Sequence, residues 1–149
     1  MNAPTRPALP PFHLAFFVDD LDRARAFYGE LLGCPEGRSA PTWVDFDFFG
    51  HQLSLHLSSG EDPAREGVDG RNPVDGEAVP LPHFGVVLAR ADWDVLAARL
   101  QEAGMEFDIP PTVRFAGKTG EQATMFFMDP FRNALEIKGF DAADSLFRH

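Results

Sequence analysis

Three residues of this chain combine metal-binding chemistry with a place on short apolar strands. His13 lies in Pro11-Phe-His-Leu-Ala-Phe-Phe-Val18, His83 in Pro82-His-Phe-Gly-Val-Val-Leu88, and Glu136 in Ala134-Leu-Glu-Ile-Lys138. Imidazole nitrogens and a carboxylate oxygen suit a divalent transition metal. Two His and one carboxylate, with other positions open, is the ligand pattern of non-haem Fe(II) oxygenases. A Glu between Leu135 and Ile137 needs a partner if it points inward, because an unpaired buried carboxylate is costly. Taken singly, each residue has a plainer explanation. A strand histidine can bond to backbone, and Glu136 can pair with Lys138 at a sheet edge. It is their arrangement across the chain that favours a shared role.

That arrangement is a repeat. Residues 12–18 read as a buried strand. Asp19 or Asp20 then caps a helix in which Leu21, Ala24, Phe27, Tyr28, Leu31 and Leu32 recur at helical spacing, and Gly33 ends it. Strands follow at Thr42 to Phe49 and Gln52 to Leu57, with Gly50 at the turn. The second half repeats this order. Phe84 to Leu88 is a strand, and Asp92 caps a helix carrying Trp93, Leu96, Ala97 and Leu100 that ends at Gly104. Strands Ala123 to Met128 and Ala134 to Phe140 flank the turn Asp129-Pro-Phe-Arg-Asn133. His13 aligns with His83, and Ser54 with Glu136. Two copies point to a duplicated module rather than a solenoid. A first module of about 11–57 and a second of about 82–140 make one domain over 1–149. Ser58 to Leu81, rich in Gly, Pro, Asp and Glu, reads as a linking loop, either a solvated connector or a cover over a pocket. A second loop is expected over Pro110 to Gly120, carrying Arg114 and Lys118.

Composition narrows the function classes. The 149 residues are 44% hydrophobic and include 15 Phe, which predicts a folded domain with a substantial core. A net charge of −10 argues against nucleic acid and anionic membrane as partners. No apolar run is long enough for a transmembrane helix. The first ten residues lack a signal-peptide core and read as a loose arm. Cys34 is the one cysteine, which excludes an internal disulfide and fits a cytoplasmic location; a packed thiol is the expectation there.

The segment Val18-Asp-Asp-Leu-Asp-Arg-Ala-Arg-Ala-Phe-Tyr-Gly-Glu-Leu-Leu-Gly33 resembles the first helix of the vicinal-oxygen-chelate superfamily, which includes glyoxalase I, extradiol dioxygenases and bleomycin and fosfomycin resistance proteins. Met128-Asp-Pro-Phe-Arg-Asn-Ala-Leu-Glu136 resembles its D-P-x-G-N-x-x-E ending, with Phe131-Arg132 in place of the usual small pair. Trp43-Val-Asp-Phe-Asp-Phe-Phe-Gly-His-Gln52 and Gly120-Glu-Gln-Ala-Thr-Met-Phe-Phe127 are most similar to small single-domain predicted extradiol dioxygenases. The resemblance spans Pro11 to Phe140. It implies an α+β fold of two βαββ(β) modules forming an open barrel or cup with helices outside. It also implies a divalent metal held by His13, His83 and Glu136, with Fe(II) first and Mn(II), Zn(II) or Ni(II) as alternatives. The superfamily's fourth ligand position falls at Ser54, a poor ligand, which favours three protein ligands and open sites.

The expected function is then an extradiol-type, ring-cleaving dioxygenase acting on a catechol-like small aromatic. The alternatives are a glyoxalase-like Zn or Ni isomerase or lyase, or a non-catalytic binding protein for a small molecule such as an antibiotic. A homodimer is the expected assembly. His56 shares a face with Ser54 by strand alternation. It is either a general acid/base or a polar residue at the cup rim. His51, of opposite parity, is expected to be exposed, and Tyr28 to be core. Arg114 and Lys118 are either loop charges or a clamp for a substrate carboxylate. Thr124, Phe126 and Met128 share one strand face and Met125 and Phe127 the other; parity alone leaves open which set lines the cup.

Overall fold

A computed structural model describes residues 9–60, 70–142 and 146–147. The proposed N-terminal arm before Leu9, residues 61–69 of the linking segment and His149 lie outside the described residues. Each half of the chain builds a four-stranded sheet. The first holds β1 (His13–Val18), β2 (Glu36–Ala40), β3 (Trp43–Phe48) and β4 (His51–Leu57) in the order β1-β4-β3-β2. Between β1 and β2 lies a helix, α1 (Leu21–Ala24), that continues as π-helical turns over Arg25–Leu31. A two-stranded hairpin follows, β5 (Gly70–Val74) and β6 (Glu77–Leu81). The second sheet holds β7 (His83–Ala89), β8 (Phe107–Arg114), β9 (Gln122–Met128) and β10 (Ala134–Phe140), with α2 (Arg90–Glu102) after β7. Its order, β7-β10-β9-β8, copies the first. In both sheets the first and last strands pair in parallel and the other neighbours are antiparallel. The two sheets are not hydrogen-bonded to each other, so the described residues form no closed barrel.

Local chemistry explains the elements. Asp20 caps α1 by accepting from the Arg23 backbone N–H at 3.0 Å. The wider π turns are closed by Leu32 N–H bonding Phe27 O, five residues back, and they bury both Phe27 and Tyr28. Gly33 then takes φ +75° to end the helix. In α2 the buried residues Trp93, Leu96, Ala97 and Leu100 recur at helical spacing. This helix starts at Arg90, so Asp92 sits inside its first turn and not at its cap; a carboxylate is favourable there against the helix dipole.

Three segments differ from the sequence reading. The linking segment is not all loop, because its last twelve residues form the β5–β6 hairpin. Asp75 and Gly76 take φ +46° and +79° at its turn, and Asp-Gly is the sequence signal for such a turn. The second expected loop begins later than Pro110, since β8 runs to Arg114. Pro110 and Pro111 are tolerated because β8 is an edge strand whose register shifts across them. Strand β2, Glu-Gly-Arg-Ser-Ala, is largely exposed and has no apolar alternation to announce it.

The helix-covered faces of both sheets share one core. Phe16, Phe27, Tyr28, Phe46 and Leu53 from the first half join Leu96, Met125, Phe127 and Ile137 from the second. The Phe27 and Phe127 rings lie 6.2 Å apart, and the buried Tyr28 hydroxyl donates to Asp129 Oδ2 at 2.7 Å. The opposite faces, which carry the candidate chemistry, therefore look away from this common core. No described helix is long and apolar enough to cross a membrane.

Candidate metal centre

Strand alternation and register place each candidate. On the second sheet, Glu136 of the central strand β10 stands opposite Gly85 of β7 and Phe126 of β9, while His83 stands opposite Ala134. This brings His83 Nε2 to 3.4 Å from Glu136 Oε1. Glu136 Oε2 accepts from the Thr124 hydroxyl at 2.6 Å, and Lys138 Nζ lies 3.8 Å from Oε1. The Phe126 ring meets His83 edge-on at 5.0 Å between centroids. Thr124 and Phe126 thus belong to the site face, whereas Met125 and Phe127 pack in the helix-covered core.

The electrostatics follow from these contacts. His83 Nδ1 lies 2.7 Å from the Pro80 carbonyl oxygen, which can only accept, so Nδ1 carries a proton and Nε2 is the nitrogen presented to Glu136. The bond to Glu136 raises the His83 pKa above the ordinary imidazole value, against the opposing effect of burial. Burial pushes the Glu136 carboxyl up, but His83, Thr124 and Lys138 together outweigh it and hold the pKa below the usual carboxylate value. Glu136 is only 8% exposed and lies on an interior strand, not at a sheet edge.

On the first sheet, His13 stands opposite Gln52, Ala15 opposite Ser54, and Phe17 opposite His56. His13 Nδ1 is 2.9 Å from Gln52 Oε1. Gln52 Nε2 donates to Asp45 Oδ2 at 3.2 Å, and the Ser54 hydroxyl donates to Asp45 Oδ1 at 2.6 Å. Asp45 and Ser54 are directly opposite across β3 and β4, and both are buried. His56 is exposed on this same face, between Phe17 and Trp43.

His83 and Glu136 line an open cleft of about 590 Å³, which His51, Val87 and Lys138 also border. His13 and His56 do not border it. Among the described residues, no three His, Cys, Asp or Glu side chains gather closely enough to hold a metal ion. One chain therefore joins two of the expected ligands and keeps the third on the other sheet. His51, expected to be exposed, is half-buried at the cleft, with Nδ1 accepting from the Phe12 N–H at 2.8 Å. Its proton then sits on Nε2 in the neutral ring.

Arg114 is not a loop charge. It is 3% exposed, with its guanidinium 5.8 Å over the Phe126 ring and Nη1 donating to Val74 O. Its Nε and Nη2 have no partner among the described residues. Lys118 lies beyond β8, outside the strand ladder. Thr124, Asp45 and Gln52 escape a reading of the sequence, because their roles depend on cross-strand register.

The sequence model of the glyoxalase/bleomycin resistance protein/dioxygenase superfamily matches residues 11–137. The chain belongs to this superfamily. A solved glyoxalase/bleomycin resistance protein/dioxygenase from Alicyclobacillus acidocaldarius is 32% identical, with TM-score 0.71, over 99% of this chain and all of that one. Fosfomycin resistance protein FosX from Listeria monocytogenes shares the fold at 16% identity and TM-score 0.65, over 96% of this chain and 100% of its own. Lactoylglutathione lyase from Agrobacterium tumefaciens does so at 21% and 0.61, over 91% and 97%. No curated protein matches the chain in sequence. The superfamily contains many enzymes as well as non-catalytic members. Its members bind small molecules, usually with a divalent metal, and often form dimers.

Proposed function

We propose that this chain is a metal-dependent, extradiol-type dioxygenase acting on a catechol-like small aromatic, with Fe(II) as the first candidate metal. The observation that carries the reading is the His83–Glu136 pair, an imidazole Nε2 and a carboxylate oxygen aimed at one another at 3.4 Å on the open face of a sheet. Their other polar atoms are already committed, to Pro80 O and to the Thr124 hydroxyl. That is how a ligating histidine and carboxylate are held. His13 would be the third ligand. Ser54 gives its hydrogen to Asp45, so the fourth superfamily position brings no strong ligand and the remaining sites stay open. When bound, a divalent metal in such a set supplies Lewis acidity toward a chelating diol and open positions for a second reactant. His56 would move a proton to or from substrate, with Phe17 and Trp43 as its aromatic cross-strand neighbours.

His13 and the His83–Glu136 pair lie on sheets whose site faces both turn away from the shared core. Phe17 and Val87 on those faces are 41% and 38% exposed. A homodimer that lays the first sheet of one copy over the second sheet of the other covers these residues and completes the ligand set. Metal analysis of protein purified without chelator, followed by O2 uptake over a panel of catechols, tests the activity. Iron and O2 consumption are expected, both lost in His83→Ala and Glu136→Ala. Bound zinc or nickel with isomerisation of a hemithioacetal overturns the reading in favour of the glyoxalase-like one. Mixing inactive His13→Ala with inactive His83→Ala tests the shared site. Mixed dimers should regain one intact centre, and no recovery after subunit exchange overturns the shared arrangement.

A further inference from the structure

The buried carboxylate of Asp45 has no cationic partner among the described residues; it is held by the Ser54 hydroxyl and the Gln52 amide. A carboxylate accepts hydrogen bonds and has none to give. The Gln52 end that faces Asp45 must therefore be the NH2 group, which fixes the orientation of the amide. Its carbonyl oxygen then faces His13, 2.9 Å from Nδ1. A carbonyl also only accepts, so the proton of the neutral His13 ring is on Nδ1 and the lone pair is on Nε2.

We propose that Asp45 and Gln52 are positioning residues that set the tautomer and the ring orientation of His13, leaving Nε2 free to bind a metal. The inference deepens the reading of His13 as a ligand and rests on it. It matches His83, whose Nδ1 is committed to the Pro80 carbonyl with the same result at Nε2. It also accounts for Ser54. A carboxylate at 54 would stand directly against Asp45 across the strands, and like charges in that relation repel. The first module keeps its acid two strands away from the histidine and acts through Gln52 on the strand between.

The test is the protonation pattern of the neutral His13 ring in the metal-free, full-length protein, read by long-range 1H–15N NMR at alkaline pH. Wild type should show Nδ1 protonated. Gln52→Leu should shift the ring toward the Nε2-protonated form and weaken zinc binding about 10–100-fold in a chelator competition. Asp45→Asn can offer the Gln52 amide a donor as well as an acceptor, so it should release the fixed amide orientation and lower the Nδ1-protonated share of the His13 ring. An Nε2-protonated ring in wild type, or an unchanged ring in Gln52→Leu, overturns the inference. If His13→Ala binds zinc as tightly as wild type, the ligand reading fails, while the NMR result still decides the tautomer.

Discussion

Replacing Glu136 by Gln should cost stability in a way that depends on pH. In the metal-free chain Oε1 faces His83 Nε2 at 3.4 Å and Oε2 takes the Thr124 hydroxyl at 2.6 Å. The substituted amide would keep an oxygen for Thr124 but lose the charge that holds a proton on His83. The His83 pKa is raised in the fold. Its contribution is complete below the unfolded value of about 6.5 and is lost as pH rises through the higher folded value. The Glu136 pKa is lowered. Its contribution is present above the unfolded value of about 4.3 and is lost as pH falls through the lower folded one. The pair therefore stabilises most between about pH 4.5 and 6.5. Both side chains are largely covered, at 24% and 10% exposed, so solvent screening is limited. A charged hydrogen bond contributes about 1.5–3 kcal/mol, and the long 3.4 Å separation puts this one near 1.5. For a chain of this size that is about 3–6 °C in melting temperature at pH 6. As pH rises through the raised His83 pKa the cost should shrink, to below about 0.5 kcal/mol once the ring is neutral, because a buried amide is cheaper than a buried carboxylate. Urea unfolding of wild type and Glu136→Gln at pH 5.5, 6.5, 7.5 and 9, in chelator, measures this. An equal cost at every pH would show that the loss comes from packing and not from the charged pair.

Cys34 is pushed up to about 12, first by burial and then by Asp47; the native protein should resist thiol reagents at pH 8, and reaction at the rate of a free thiol would refute this. At Gly85 an added Cβ would overlap the Glu136 carbonyl oxygen on the paired strand. Gly85→Ala should force β7 from β10 and cost about 3 kcal/mol or more by urea unfolding, whereas wild-type stability would mean that the two strands do not lie so close. Tyr28→Phe removes the hydroxyl that donates to buried Asp129. It should cost about 1–3 kcal/mol, because the carboxylate loses a donor while buried; a neutral result would argue against this bond between the halves.

The duplicated order was readable because each copy repeats the same punctuation. Gly33 and Gly104 end the two helices with φ +75° and +76°, and Asp20 caps the first. The Asp129–Asn133 turn was also readable as a motif. Asp129 Oδ1 takes the N–H groups of Phe131 and Asn133, and Oδ2 takes the Asn133 amide. Strands β2 and β8 were hidden, one by its polar composition and the other by its two prolines. The site was legible only as residue types. His13, His83 and Glu136 stand out along the chain, but Thr124 reaches Glu136 through the β9–β10 register, and Gln52 reaches Asp45 through β3–β4. The packing of the two modules is set by contacts such as Phe27 against Phe127, which no local pattern encodes. For that reason the separation of His13 from the other two candidates emerges only in three dimensions.

The two halves handle one problem in opposite ways. Each presents a strand histidine whose Nδ1 lies within hydrogen-bond distance of a carbonyl oxygen, which leaves Nε2 as the nitrogen for other chemistry. In the second half the acid is on the same side as Nε2, so Glu136 and His83 form a pair that a cation can enter by displacing one proton. In the first half the acid is behind the histidine, where Asp45 acts on Nδ1 through Gln52 and takes the Ser54 hydroxyl as well. A site assembled from both faces then has two imidazoles and one carboxylate, not two of each. The net charge left by that set with a divalent ion is +1 instead of 0. Such a centre favours an anionic, oxygen-donating substrate in the open positions, which is the electrostatic reason to look for a diolate before a neutral ligand.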